Sequence, residues 1–156
     1  MTTLGAPIQI GDLAPDFTLT DTHGSPLHLA DLRGTPVALV FMPGAFTGTC
    51  TGEVCELRDN LSLFGGAGVR LLLVACDSTA TLRAWGEQER TNFDLLSDFW
   101  PHGAVSTAYG VFDADRGRAL RGSFLLDAGG VVRWTVVNAA GQPRDLAGYR
   151  SALGSI

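Results

Sequence analysis

Two continuous apolar runs of strand length constrain the fold of this chain most. They are VALVFM at residues 37–42 and VRLLLVA at residues 69–75. Strands that are hydrophobic along their whole length are typical of a sheet whose two faces are both covered. Between the two runs lies a segment whose apolar residues recur at helical spacing, at Val54, Leu57, Leu61 and Phe64. This order predicts an α/β fold with a buried central sheet.

The other segments predict further strands and helices around that centre. Residues 1–35 predict a short extended arm followed by a hairpin with its turn at residues 22–25. The remaining predicted elements are a helix at 48–64, a helix at 79–89, a short strand at 93–96, a short helix at 104–109, a hairpin of 117–126 with 131–137, and a terminal helix at 143–153. Strands that alternate with helices and end in a hairpin predict a three-layer α/β/α sandwich with a mixed sheet.

Length, charge and cysteine content limit the classes of protein. A chain of 156 residues forms one domain with a sizeable core, so we expect a single domain over residues 1–156. The net charge of −5 argues against nucleic acid or an anionic membrane as a partner. No apolar run approaches the roughly 20 residues that span a bilayer. Because residues 1–7 lack the blocks of a signal peptide and three cysteines are present, we expect a reducing, cytoplasmic location.

The junction after the first apolar run places a cysteine at the start of a helix. Pro43 and Gly44 end the strand, and Thr47 is suited to the N-cap position. Cys50 then occupies the third helical position, where backbone N–H groups have no partner inside the helix. These donors and the helix dipole stabilise an anion, which for cysteine is the nucleophilic thiolate. The spacing therefore predicts a reactive cysteine.

A purely structural Cys50 is the alternative, because free cysteine often packs as a small hydrophobe and Cys50 begins the apolar stripe of Val54 and Leu57. The reactive interpretation requires amide hydrogens or a cation at the sulfur. Arg121 is the candidate cation, since it lies in a strand that is apolar on both faces, where a guanidinium is costly without an anion. The Cys50 thiolate and the Glu53 carboxylate are the candidate anions. An exposed strand end is the alternative for Arg121.

The pattern Pro-x-x-x-Thr-x-x-Cys, formed by Pro43, Thr47 and Cys50, resembles the active-site signature of the peroxiredoxins. These are cysteine-based peroxidases with a thioredoxin-like fold. Other segments resemble the same family in the expected order: GDLAPDFTL at 11–19, DLRG at 31–34 and RGSFLLD at 121–127. The segment SDFWPHGAV at 97–105 is similar to the AhpE-type subgroup known from actinobacteria. The resemblance implies a thioredoxin-like sandwich.

The resemblance also implies roles for individual side chains. Cys50 would be the peroxidatic cysteine, whose thiolate attacks a hydroperoxide and becomes a sulfenic acid. Thr47 would hydrogen-bond the peroxide, Arg121 would be the active-site arginine, and Pro43 would shield the site. A plain N-cap is the alternative role for Thr47. The expected supporting residues of the pocket are Glu53, Phe46 and Thr49.

Cys55 decides the subtype of enzyme. Five residues after Cys50 on a regular helix, its Cα lies about 8–9 Å away, whereas a disulfide requires about 7 Å or less. The pair can therefore bond only after the helix unwinds. Peroxiredoxins of the bacterioferritin-comigratory type carry a resolving cysteine at this offset, whereas the AhpE-type subgroup usually works with the peroxidatic cysteine alone. We expect Cys55 to resolve, with a passive Cys55 as the alternative, and Cys76 to be buried packing.

Two classes of function follow. The first is a thiol peroxidase that reduces hydrogen peroxide and organic hydroperoxides, recycled by thioredoxin or by a mycoredoxin or low-molecular-weight thiol system. The second is a peroxide sensor that oxidises without efficient turnover. Family proteins commonly form dimers, so we expect a homodimer. No phosphate-binding loop, dinucleotide fingerprint or paired metal-ligand spacing is present in the sequence, so neither a cofactor nor a metal is implied.

Overall fold

A seven-stranded mixed sheet forms the centre of the part of the chain that the structure describes. The computed structural model describes residues 8–156, so residues 1–7 of the predicted arm lie outside it. The strands are, in chain order, β1 (Thr18–Asp21), β2 (Pro26–His28), β3 (Val37–Met42), β4 (Arg70–Ala75), β5 (Asp94–Ser97), β6 (Phe112–Asp113), β7 (Arg118–Ala119), β8 (Arg121–Leu126) and β9 (Val132–Asn138). The order across the sheet is β2-β1-β5-β4-β3-β8-β9, and β6 pairs with β7 outside it.

Helices cover both faces of this sheet. Within the described residues they are α1 (Gly48–Asp59), α2 (Leu61–Gly65), α3 (Thr79–Glu89), α4 (Ala104–Ala108) and α5 (Leu146–Leu153). Strand β4 pairs in parallel with β3 and β5, whereas β3 is antiparallel to β8. Among these helices, none combines the length and the apolar character that crossing a bilayer requires.

Strand β3 supplies side chains to both hydrophobic layers. Val40 and Met42 face a cluster that the helices α1, α2, α3 and α5 complete. Leu39 and Phe41 face a second cluster, which the N-terminal segment and α4 complete. Because every residue of β3 is buried, the strand fixes the point at which the following loop leaves the sheet. The predicted three-layer α/β/α sandwich with a mixed sheet is confirmed.

The structure corrects the predicted helix at 48–64, which is two helices. Helix α1 ends at Asp59, and Asn60 has φ −118° and ψ 23°. The Asn60 side chain donates to the carbonyl oxygen of Glu56 at 2.8 Å, the kind of local bond by which asparagine competes with helix continuation. The short helix α2 follows at once and keeps Phe64 in the core, which is why the apolar spacing suggested one continuous helix.

Two other elements differ from prediction by more than a shift of one residue at an end. The predicted strand at 117–126 is divided into β7 and β8, and β7 forms a small hairpin with β6. Two-residue strands are too short to show an alternating pattern. The terminal helix begins at Leu146 instead of 143, because Asp145 is its N-cap and accepts the N–H of Ala147 at 3.0 Å. The helix predicted at 79–89 is confirmed.

Candidate active site

The loop between β3 and α1 holds the start of α1 in place. Pro43 is buried directly after β3. The N–H of Ala45 donates to Oδ2 of Asp77 at 2.8 Å, which ties the loop to the end of β4. Phe46 has φ +63°, a left-handed conformation that is rare for a bulky side chain. Such backbone strain persists where the surrounding contacts fix the conformation, and it clusters at functional sites.

Thr47 is the N-cap of α1 through its backbone. It has an extended conformation, and its carbonyl oxygen accepts the N–H of Thr51 at 2.9 Å. Its hydroxyl does not cap the helix but donates to the carbonyl oxygen of Gly44 at 3.0 Å. Within residues 8–156, the N–H groups of Gly48, Thr49 and Cys50 have no hydrogen-bond partner. The helix therefore begins with unpaired amide donors around Cys50.

Cys50 lies at the third position of α1, as the spacing predicted, but its side chain is completely buried, with 0 % exposure. It belongs to the apolar cluster that includes Met42, Val54 and Trp85. The sulfur has no hydrogen bond to any group of residues 8–156. In this conformation a peroxide cannot reach the sulfur without movement of the loop or of the first turn of α1.

A buried ion network lies one turn after Cys50. The carboxylate of Glu53 accepts Nη1 of Arg121 at 2.5 Å and Nη2 of Arg144 at 2.8 Å on the same oxygen. Its other oxygen accepts the backbone N–H of Arg144 at 2.6 Å and Nε at 3.1 Å. Arg121 also donates Nε to the carbonyl oxygen of Ala140 at 2.6 Å. All three charged side chains are nearly inaccessible to solvent.

The network carries an excess of positive charge. Two guanidinium groups and one carboxylate leave a formal charge of +1. Burial opposes ionisation of Glu53, yet the hydrogen bonds and charge of Arg144, together with the charge of Arg121, hold the pKa of its carboxyl below the ordinary value. Because Glu53 follows Cys50 by three residues, both side chains lie on one face of α1. Of the two anions predicted for Arg121, the structure pairs it with the Glu53 carboxylate.

Arg144 is the member of the network that the sequence analysis missed. Besides Glu53, it donates Nη1 to the carbonyl oxygens of Phe41 and Gly122 at 2.8 and 2.9 Å and to Oγ of Ser123 at 3.0 Å. It therefore joins the end of β3 to β8. The residue lies in an irregular segment 91 positions after Glu53, so no local periodicity marks it. The sequence analysis placed it inside the predicted helix at 143–153, whereas the structure places it before α5, which begins at Leu146.

Cys55 points toward α3. Its Sγ–H donates to Oε1 of Glu89 at 3.2 Å, and its side chain is half-buried. Burial raises the pKa of the Cys55 thiol, and the hydrogen bond to Glu89 raises it further. Both Cys50 and Cys55 lie within the unbroken helix α1, and both are free thiols.

Cys76 follows β4 and lies away from α1. It is buried, its Sγ is 3.8 Å from Oγ of Ser106, and burial raises its pKa to about 11. A thiol in this state is almost entirely protonated at neutral pH and unreactive. Residues 8–156 hold no group of three histidine, cysteine or acidic side chains that is suited to a metal ion.

An open depression of about 400 Å³ lies at the N-terminal end of α1. The exposed fraction of Phe46, beside it in the chain, is 49 %. Thr49 is half-buried and lies on the wall of the depression, as does the Glu53–Arg144 pair. The lining residues are Gly48, Thr49, Gly52, Glu53, Glu56, Pro143 and Arg144. Cys50 is not among these residues, because its side chain packs in the apolar core.

Residues 10–135 match the sequence profile of the AhpC/TSA family. The chain belongs to this family. The match covers β1 to β8, most of β9 and the whole of the loop and helix that carry Cys50. All the segments whose sequences resemble the family therefore fall inside the matched region, and α5 lies outside it.

Relatives support a peroxiredoxin of the AhpE or Bcp type. Alkyl hydroperoxide reductase E of Mycobacterium bovis is 42% identical over 150 residues, which are 96% of this chain and 98% of the relative. Peroxiredoxin Bcp of Escherichia coli is 37% identical over 132 residues, 81% of this chain and 83% of the relative. The crystal structure of peroxidoxin BcpB from Mycobacterium tuberculosis has a TM-score of 0.83 and 29% identity, covering 95% of this chain and 96% of that one.

The chain is therefore a peroxiredoxin-type thiol peroxidase with a thioredoxin-like fold. The resemblance to the peroxiredoxins that the sequence segments indicated is confirmed.

Proposed function

We propose that the chain reduces hydrogen peroxide and organic hydroperoxides through the thiolate of Cys50. The observation that supports this most is the position of Cys50 in the first turn of α1, where the N–H groups of Gly48, Thr49 and Cys50 are unpaired and a buried network of charge +1 lies one turn later. Cys55 and Cys76 lack these surroundings, because Cys55 lies in the middle of α1 against the Glu89 carboxylate and Cys76 follows a strand. Among the three sulfurs, Cys50 has the environment that best stabilises an anion.

The proposed reaction transfers one oxygen atom. The Cys50 thiolate attacks the terminal oxygen of the hydroperoxide, an S–O bond forms and the O–O bond breaks. The second oxygen leaves with the electron pair and takes up a proton as water or an alcohol, and Cys50 becomes a sulfenic acid. Negative charge spreads over both oxygens in the transition state, so preorganised donors lower the barrier. The candidate donors are Thr47, the amides of Thr49 and Cys50, and Arg121.

Access to the buried sulfur requires local opening. The segment most suited to move is the loop at 43–47, because one bond from Ala45 to Asp77 ties it to the sheet and Phe46 is strained. The Thr47 hydroxyl, which now donates to Gly44, would be released toward the substrate by the same movement. In this role Pro43 shields the sulfur from bulk water while the loop is closed.

In the proposed cycle Cys55 resolves the sulfenic acid as a Cys50–Cys55 disulfide, and thioredoxin or a mycoredoxin-type or low-molecular-weight thiol system reduces it. The intact helix keeps the two sulfurs apart, so its first turns must unwind. One observation favours a one-cysteine cycle with a passive Cys55: its thiol is bonded to Glu89 and its pKa is raised. We also propose that the protein is cytoplasmic and forms a homodimer.

Serine variants of the three cysteines test this function. Peroxide consumption is measured with purified protein and an excess of recycling thiol. We expect Cys50→Ser to abolish turnover and Cys76→Ser to retain nearly the wild-type rate. Equal losses in the two variants would refute the assignment of Cys50. A wild-type protein that consumes one equivalent of peroxide and then stops would instead be a sensor.

A further inference from the structure

Three polar contacts join α1 to α3 along one stripe of each helix. Nε1–H of Trp85 donates to Oγ1 of Thr51 at 3.2 Å, and Sγ–H of Cys55 donates to Oε1 of Glu89 at 3.2 Å. Nη1 of Arg58 donates to the carbonyl oxygen of Glu89 at 2.6 Å. The contacts repeat at helical spacing on α1, so they belong to one interface. Glu89 makes two of the three.

This interface holds Cys55 on a different side of α1 from Cys50. Residues five apart on a helix lie roughly 140° apart around its axis, and Cys50 packs in the apolar core while Cys55 contacts α3. The charged groups that face Cys55 are Glu89 on α3 and Arg58 and Asp59 on α1. Burial and the Glu89 hydrogen bond together favour the protonated thiol, with Arg58 opposing them.

We propose that Glu89 is a positioning residue that holds Cys55 docked on α3, so that release of this contact controls disulfide formation with oxidised Cys50. The proposal rests on the resolving role of Cys55 proposed above. While the thiol donates to Oε1 of Glu89, its sulfur faces away from Cys50 and stays protonated. The contact thereby sets how long the Cys50 sulfenic acid persists and remains open to a second peroxide or to an external thiol.

The resolving step that Glu89 controls is balanced without a further reactant. After the contact breaks and the first turns of α1 unwind, the Cys55 sulfur attacks the sulfur of the Cys50 sulfenic acid. An S–S bond forms, the S–O bond breaks, and the hydroxide leaves with the thiol proton as water. Glu89 does not touch the reacting oxygen, so its effect acts through the position and protonation of Cys55.

Alkylation of Cys55 measures the docking directly. Reduced wild-type protein, Glu89→Gln and the control Glu87→Gln are treated with iodoacetamide over a range of pH, and peptide mass spectrometry follows each cysteine. Glu87 lies on the same helix, exposed and paired with Arg83. We expect Glu89→Gln to alkylate Cys55 about threefold faster at neutral pH, with its profile moved to lower pH, because the negative charge that favours the thiol is lost and a neutral amide oxygen is a weaker acceptor. An unchanged profile in Glu89→Gln would overturn the proposal.

Disulfide formation after one equivalent of hydrogen peroxide completes the test. Quenched samples are analysed for the Cys50–Cys55 linkage, and we expect it to appear several-fold faster in Glu89→Gln than in wild type and Glu87→Gln. A slower linkage in Glu89→Gln would overturn the proposal, because Glu89 would then assist Cys55 instead of restraining it. An equal rate would overturn it as well. If wild type forms no linkage at all, the resolving role of Cys55 is itself refuted, and faster alkylation would leave only the docking supported.

Discussion

Glu53 is the residue on which the buried charges around α1 depend. It is the anionic partner of both Arg121 and Arg144, and each guanidinium is nearly inaccessible to solvent. Hydrogen bonds from both arginines compensate the desolvation of its carboxylate. Because Arg144 also bonds the backbone of β3 and β8, the network connects the helix that carries Cys50 to the sheet.

Replacing Glu53 by glutamine removes this anion at nearly constant volume. Since it leaves two buried guanidinium groups without a carboxylate, we expect the free energy of unfolding at neutral pH to fall by about 3–5 kcal/mol. The control Glu56→Gln, at an exposed position of the same helix, should change it by about 0.5 kcal/mol or less. Urea denaturation measures both, and a similar small loss in the two variants would contradict the network's role.

The difference in the free energy of unfolding between wild type and Glu53→Gln should depend on pH. The folded pKa of Glu53 is lowered, so its contribution to stability is fully present above the ordinary value of 4.5 and is lost as pH falls through the lower folded value. The difference between wild type and Glu53→Gln should therefore narrow in that acid range. A difference that stays constant down to lower pH would show that Glu53 is not ionised in the native protein.

At the scale of elements, the loop between β3 and α1 is fixed by a residue that follows another strand. Asp77 accepts the N–H of Ala45, and its own carbonyl oxygen accepts Oγ of Ser97 at 2.6 Å. The ends of β3, β4 and β5 are thereby joined beside the start of α1. Burial raises the pKa of Asp77, while the Ala45 bond and the charge of His102 oppose that rise.

We expect Asp77→Ala to speed the oxidation of Cys50 by about tenfold, which corresponds to ~1.4 kcal/mol, the scale of one lost hydrogen bond. The loop would lose its tie to the sheet, so the opening that exposes the buried sulfur would cost less free energy. Asp77→Asn keeps an acceptor oxygen and should stay close to the wild-type rate. Stopped-flow oxidation by hydrogen peroxide measures the three proteins, and an Asp77→Ala rate equal to wild type would remove Asp77 from the site.

The sequence was sufficient for the elements whose patterns are long and local. The apolar runs of β3 and β4 and the spacing of α3 predicted their positions well, and Pro43, Thr47 and Cys50 predicted the start of α1. Features set by contacts between distant residues were not predictable. Arg144 lies in a loop and is buried only because Glu53, far away in sequence, meets it. The burial of Cys50 likewise depends on how several helices pack on the sheet.

At the scale of the whole molecule, large apolar side chains are exposed on the side that holds Cys50. Phe46, Phe99 and Trp100 have exposed fractions of 49, 50 and 82 %. Asp77 shows that their two loops are neighbours. It accepts the N–H of Ala45, beside Phe46, and the charge of His102, two residues after Trp100, opposes the rise in its pKa. Exposed apolar groups that lie together are typical of a surface that another protein covers.

The proposed homodimer assigns this surface to a second copy of the chain. Light scattering after size-exclusion chromatography should give twice the mass of the chain, and Trp100→Glu should shift it to that of one chain. Leu13→Glu is the control, since Leu13 is also exposed, at 62 %, but pairs with Val131 through a backbone bridge away from these loops. A wild-type protein of single-chain mass, or dissociation by the control alone, would contradict the assignment.

Peptide mass spectrometry after one equivalent of hydrogen peroxide, with dimedone present to trap sulfenic acid, tests most directly which sulfur reacts. The proposed mechanism predicts that oxidation is confined to Cys50, as the dimedone adduct or as the disulfide with Cys55, while Cys76 remains a free thiol. Oxidation that begins at Cys76, or a Cys50 that stays reduced while peroxide is consumed, would contradict it.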